Sequence, residues 1–392
     1  MSITPLEALP LAELRRRSSS KWRTYPEDVL PLFVAETDFP LAPAITRALS
    51  EAVERGDTGY TPPRTPLPEA FAGFAERRFG WTPDPARVRT TCDVMMAVAE
   101  LLRAVTEPGD RVVVTPPVYP PFFAVNDESR TQIERVPLIA EADGWHLDLE
   151  GIEAAFAGGA KAMLLCNPHN PTGTVHPRET LAELARIAQR HGAWIISDEI
   201  HAPLTLPGAT FTPFLDAAPE AAEFGFALTS ASKAFNLAGL KCAFVVTAAD
   251  GPDAIVRALP AEVEWRTSLF GVFANVAAFA ESDAWLDALI ARLDLNRILL
   301  RDLLAEHVPG ARYLPGQAGY LAWVDLSALG WGDNPAVRIR KEARVALHLG
   351  PLFGDEGRGH VRVNFGTGPE ILTEAVTRIG ALVGGAVPGE SK

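Results

Sequence analysis

Cysteine is scarce in this 392-residue chain. Cys92, Cys166 and Cys242 are odd in number, widely spaced and form no C-x-x-C pair, which argues against a disulfide scaffold and against a zinc site. Small buried apolar positions are the expected role of thiols so placed. Positive charge is also short. Against 49 Asp and Glu stand 36 Lys and Arg, a net charge of −13 that disfavours attraction to phosphate backbones or anionic lipid. Neither nucleic acid nor membrane is an expected partner. No apolar run reaches the span of a bilayer, and the opening MSITPLEALPLAELRRRSSSKW lacks the apolar core of a signal peptide. A cytoplasmic protein is expected. No G-x-G-x-x-G follows a strand and no G-x-x-x-x-G-K-[ST] occurs, so dinucleotide and P-loop chemistry have no anchor. G-x-S-x-G is missing. Ser230 and Lys233 do form S-x-x-K, but the S-D-N and K-T-G elements that acyl-serine hydrolases require are absent. There is no internal repeat and no low-complexity tract.

What is present is an ordinary globular composition, 47% hydrophobic and 22% charged, at a length that suggests two or three domains. From about residue 86 to 246, short apolar runs alternate with helix-patterned stretches. RVVVTPP, KAMLLCNP, AWIISDEI, FGFALTS and LKCAFVV read as buried strands. LAELARIAQRHG has helical spacing with Gly192 as its stop. Buried strands separated by helices imply an α/β domain with a largely parallel sheet, which binds ligands at the carboxyl ends of its strands. After 250 come a long helical stretch, about 268 to 307, and a smaller unit. That unit has candidate strands YLAWVDL and HVRVNFG, with helices near 335 to 344 and 369 to 383. The first 45 residues are expected to pack on it, giving a large domain of 46–280 and a small domain of 1–45 with 281–392. RRRSSSK reads as a solvated loop.

Four polar groups follow strands: LLCNPHNPTG, IISDEIH, LTSASK and VVTPPVYPPFF. If they share one sheet edge they share one pocket. Asp198, Glu199 and His201 resemble a metal cluster, but neighbours on a strand face opposite sides, so Asp198 and Glu199 could not readily share an ion. Taken alone, Asp198 also fits a helix cap or salt-bridge partner, Lys233 a surface lysine at a turn, and NPHNPTG a structural loop. Together they match one cofactor's needs. Pyridoxal phosphate takes a lysine for its aldehyde, a carboxylate for its ring nitrogen, an anion site for its phosphate and a flat partner for its ring.

In NPHNPTG, SDEIH and SKAFNLAGLK, in that order and spacing, and across nearly the whole chain from KW and LPLFVAETDF to HVRVNFG, the sequence resembles fold-type I pyridoxal-phosphate enzymes of the class I/II aminotransferase superfamily. Within these it is most similar to the cystathionine β-lyase branch called MalY/PatB. The resemblance implies a large domain with a mostly parallel seven-stranded sheet flanked by helices, plus a smaller α+β domain. It implies that Lys233 carries the cofactor and then serves as base, that Asp198 pairs with the ring nitrogen, that Asn170 bonds the ring's hydroxyl oxygen, and that Tyr119 stacks on the ring. His201 stands where many relatives have a tyrosine near the same oxygen. Ser230, Ser232, Lys241 and the amides of Val94 and Met95 would hold the phosphate. Tyr60 would reach the phosphate of a neighbouring subunit, which makes the active unit a homodimer. Arg362 would clamp the substrate carboxylate, with Ala35 beside it.

The implied activity is a carbon–sulfur β-lyase that cleaves L-cystathionine or another cysteine S-conjugate to a thiol, pyruvate and ammonia. An aminotransferase of an L-amino acid is the alternative, and a regulatory role through a protein partner a third. Three departures from the family pattern bear on this. Asp93 stands where relatives usually have glycine, VAETDF replaces VADMDF, and GTGPEI replaces a Pro-Arg pair.

Overall fold

The computed structural model describes residues 3–383. Strand β1 (Leu30–Leu32) belongs to the smaller of two main sheets. The larger sheet takes β2 (Val88–Thr91), β3 (Arg111–Val114) and β4 (Gln132–Arg135). After a hairpin of β5 (Ile139–Glu141) and β6 (Gly144–His146) it takes β7 (Ala162–Cys166), β8 (Trp194–Asp198), β9 (Gly225–Thr229) and β10 (Ala243–Val246). The chain then returns to the smaller sheet with β11 (Arg312–Tyr313), β12 (Leu321–Asp325), β13 (Val345–Leu349) and β14 (His360–Asn364).

The larger sheet has seven strands in the order β2-β10-β9-β8-β7-β3-β4. From β9 to β4 all pairings are parallel, while β10 runs antiparallel to both β9 and β2. Its central strands are continuous apolar runs because helices cover both faces: every residue of β7, β9 and β10 is buried. The covering helices bury one stripe each. In Arg178–His191 the buried residues are Leu181, Ala182, Leu184, Ala185, Ile187 and Ala188, the i, i+3, i+4 pattern, and the helix stops at Gly192 with φ 62°. The smaller sheet, ordered β1-β13-β14-β12-β11, packs under the helix Asp283–His307 and the helix Pro369–Gly380. Among the described residues no helix is long and apolar enough to cross a membrane.

The parallel order has one consequence for chemistry. Strands β3, β7, β8 and β9 all end on the same edge, so the residues after Val114, Cys166, Asp198 and Thr229 meet there. Antiparallel β10 brings its beginning, Lys241 to Ala243, to that edge, and β2 brings its end, followed by Cys92 and Asp93.

The N-terminal segment differs from its reading as a solvated loop. Lys21 is buried, and its ammonium donates to Asp38 Oδ2 at 2.8 Å and to the Glu36 carbonyl at 3.1 Å. Trp22 Nε1 donates to the other Asp38 oxygen, and Arg17 donates to the carbonyls of Thr37 and Phe39. A run of basic and hydroxyl residues looks solvated in sequence, yet here its cations satisfy a buried acid and backbone acceptors. These bonds tie residues 36–39 to the N-terminal segment.

Candidate active site

A cavity of about 420 Å³ lies at that edge, a size suited to a small organic ligand. It is lined by Lys233, Asp198, Asn170, Tyr119, His201 and Arg362 among others. The four strand-end groups expected to converge do converge. Of the residues singled out from the sequence, Val94, Met95, Ser230, Ser232, Lys241 and Ala35 also line it, and Tyr60 does not. Tyr60 is 98% exposed and lies outside this cavity.

Lys233 follows β9 by a short turn. Its ammonium reaches the Ala35 carbonyl at 3.5 Å, an oxygen that also accepts from the Tyr320 hydroxyl at 3.0 Å. Burial lowers its pKa, the Arg362 charge lowers it further, and Asp198 pulls it partly back. A lysine in this setting gives up its proton more readily than one in water.

Asp198 ends β8 with its side chain in the cavity. Burial pushes its carboxyl up to about 6, against the Ile200 amide, which donates to Oδ1 at 3.1 Å, and the Lys233 charge. Glu199, one residue on, faces away from the cavity. It accepts from the Phe214 amide at 2.8 Å and the Ser197 hydroxyl at 3.0 Å, and burial raises its pKa to about 8. The strand alternation that separates the two acids keeps Asp198, Glu199 and His201 from forming one ligand set. His201 is buried, with Nδ1 lacking a partner and its pKa depressed to about 3 by burial and by Lys233 and Arg362. It is a neutral imidazole at the wall of the cavity.

Arg362 comes from β14 in the other sheet. Its guanidinium donates to Asn170 Oδ1 and to the Phe33 carbonyl, both at 3.0 Å, stacks over the Phe353 ring at 5.1 Å, and leaves Nε unpaired. Burial lowers its pKa to about 10, so it stays charged at neutral pH. Asn170 is held in turn by its loop: its amide donates to Cys166 Sγ at 3.3 Å. The loop docks on the small sheet's approach strand through Gly173, whose carbonyl accepts from Gln317 and Ala318. A side chain at Gly173 would stand 3.0 Å from Gly316 Cα, and φ there is +71°, so the loop needs glycine at this point.

The opposite corner of the cavity gathers groups of the kind that hold an anion. The helix Val94–Val105 begins there, with the amides of its first turn free of intrahelical partners. Lys241, Ser230 and Ser232 stand beside it. The Ser230 hydroxyl donates to the Cys242 carbonyl at 2.6 Å and accepts from the Ser232 amide at 3.0 Å, so it shapes the turn as well as lining the corner. Asp93 caps the helix and accepts from Lys241 Nζ at 3.0 Å.

Several residues here escaped the sequence reading. Tyr320 donates to the Ala35 carbonyl that Lys233 also reaches, Phe33 supplies a carbonyl acceptor to Arg362, and Asn364 Nδ2 donates to the carbonyls of Val34 and Glu36, fixing the segment that carries Ala35. His348 lines the cavity from β13, opposite Arg362 in the strand register. Asn364, two residues past Arg362 on the same strand face, carried a period-two signal that could have placed it. All three cysteines line the cavity, Cys92 only half-buried.

A lysine with a lowered pKa, a buried acid, an arginine fork and an anion corner, set on a seven-stranded α/β sheet with a smaller sheet beside it, define the pyridoxal-phosphate enzymes of fold type I. The chain belongs to the family Aminotransferase class I and II, whose model matches residues 27–379. Within it the similarity runs to the MalY/PatB lineage. The chain is 34% identical over 363 residues to cystathionine beta-lyase PatB of Bacillus subtilis, covering 91% of this chain and 93% of that one. A Mycobacterium leprae protein provisionally named a cystathionine beta-lyase is 45% identical over 406 residues, with 98% and 99% covered. The solved PLP-bound C-S lyase of Staphylococcus hominis superposes with a TM-score of 0.88 at 26% identity, over 94% of this chain and 96% of that one.

Proposed function

We propose that this protein binds pyridoxal 5'-phosphate in the cavity and acts as a carbon–sulfur β-lyase on L-cystathionine or a related cysteine S-conjugate, releasing a thiol, pyruvate and ammonia. The observation that carries the reading is the convergence of Lys233, Asp198, Asn170 and Arg362 in one cavity with an anion corner at its far side. The donor set fits the cofactor. When bound, that group supplies an aldehyde for a lysine amine and a cationic ring that accepts the electron pair left by a departing Cα proton.

The chain's residues divide the remaining work. Lys233, whose surroundings favour the free amine, carries the cofactor and then takes the Cα proton. Asp198, ionised at neutral pH and buried, holds the proton on the ring nitrogen. Asn170 and the neutral His201 would hold the ring's hydroxyl side, and Tyr119 would provide a flat face for the ring. The planar Arg362 fork, already oriented by Asn170 and Phe33, receives the substrate carboxylate, which fixes the Cα–H bond toward Lys233. Ala35 backs the same space. The phosphate goes to Ser230, Ser232, Lys241 and the amides of Val94 and Met95. Tyr60, exposed in the single chain, reaches the phosphate of a second copy in a homodimer.

The choice of elimination over transamination is supported by the lineage to which the chain is similar; the family's name favours an aminotransferase as the second reading. One experiment separates them. Incubation with L-cystathionine and no keto acid yields catalytic pyruvate and thiol if the protein is a lyase. A strict requirement for a keto-acid acceptor would overturn that reading in favour of transamination. Borohydride treatment followed by peptide mapping tests the cofactor itself, and a pyridoxyl group on any residue other than Lys233 would refute the assignment.

A further inference from the structure

We propose that Asp93 is a built-in competitor for the cofactor's phosphate, so that its carboxylate loosens this protein's hold on that group. The inference rests on the cofactor reading above. One oxygen of Asp93 accepts from the Met96 amide at 2.8 Å, and the other accepts from Lys241 Nζ at 3.0 Å. The carboxylate therefore bridges the two kinds of donor that an anion in this corner uses, a helix N-terminus and an ammonium. Ser230 is engaged internally as well, its hydroxyl donating to the Cys242 carbonyl and accepting from the Ser232 amide.

The competition is one the phosphate wins, at a cost. The Asp93 and Lys241 side chains are 42% and 59% exposed, so their pairing is weak and displaceable. A phosphate with about twice the charge of a carboxylate takes the ammonium. Asp93 stays at the head of the helix through its bond to Met96, and then faces a like charge across the corner. Both effects weaken binding of a phosphate-bearing ligand, and neither touches a ligand without phosphate.

The test compares the wild type with Asp93→Asn and Asp93→Ser, both of which keep a capping oxygen and remove the charge. Cofactor-free protein is titrated with pyridoxal 5'-phosphate and, separately, with pyridoxal, which lacks the phosphate, and uptake is followed by absorbance. Both variants are expected to bind the phosphate form about tenfold tighter, the scale of one like charge removed at a partly exposed site. Pyridoxal affinity is expected to stay within about twofold, and inorganic phosphate should block cofactor uptake at lower concentration in the variants. Equal or weaker binding of the phosphate form in both variants overturns the proposal, because Asp93 would then be positioning Lys241 for the phosphate. So does an equal gain for pyridoxal, which would place the effect outside the anion corner. A wild-type chain that takes up neither ligand overturns the cofactor reading and this inference with it.

Discussion

Replacing Asp198 by asparagine should make the cofactor-free protein more stable while disabling it. The carboxyl is 5% exposed, and burial pushes its pKa from the ordinary 3.8 up to about 6. Two units at about 1.4 kcal/mol each put the cost of the buried charge near 3 kcal/mol, an order-of-magnitude upper bound. The sign follows from proton binding. The folded chain holds this proton more tightly than the unfolded chain, so the group favours folding below about pH 4, and its penalty grows as pH rises and is complete above about pH 6. Asparagine carries no charge at any of these values, and its side-chain oxygen can still accept from the Ile200 amide. Thermal melts of cofactor-free wild type and Asp198→Asn, stepped from about pH 4 to about pH 8, should show the variant ahead at neutral pH with the gap closing toward the acid end. The same variant should lose at least about a hundredfold in turnover, because nothing then holds the ring-nitrogen proton. A variant that melts below the wild type at pH 8, or a gap indifferent to pH, would refute the reasoning.

Arg362→Lys keeps the charge but loses the planar fork that Asn170 and Phe33 orient, so kcat/KM for amino-acid substrates should fall about a hundredfold, as steady-state kinetics would show. Gly173→Ala puts a methyl 3.0 Å from Gly316 Cα at a φ of +71°, and melts should show a loss of about 1–3 kcal/mol. Lys21→Met leaves the Asp38 carboxylate buried without its ammonium. Denaturation should show a loss of about 3–5 kcal/mol, and removing the acid as well, in Lys21→Met with Asp38→Leu, should recover part of it.

The larger sheet was legible because its strands are buried on both faces and so appear as unbroken apolar runs, and the edge-forming residues follow those runs directly. Val88–Thr91 and Gln132–Arg135 were not read as strands. They lie at the sheet's two edges, where VRTT and QIER carry polar and charged residues and the apolar signal fades. The stretch read as helical from about 268 to 307 holds two helices, Leu269–Glu281 and Asp283–His307, divided at Ser282, a single-residue break that helical periodicity does not reveal. In the site, Lys233 and Asp198 stood out as charged residues directly after apolar runs, whereas Asn170 and Arg362 were found through the resemblance of NPHNPTG and HVRVNFG to the family pattern. Phe33 and Ala35 act through carbonyl oxygens, which every residue carries, so no side-chain pattern marks them. Lys21 misled for the opposite reason: a basic residue beside serines looks wet, and only the fold brings Asp38 to it.

The guanidinium of Arg362 is bound to acceptors that lie 192 and 329 residues away along the chain. Its grip is thus welded to two distant stretches of backbone, and neither can drift without loosening the other. Tolerance for substrates of different shape has to be sought elsewhere in the cavity, among lining residues that take no part in the weld.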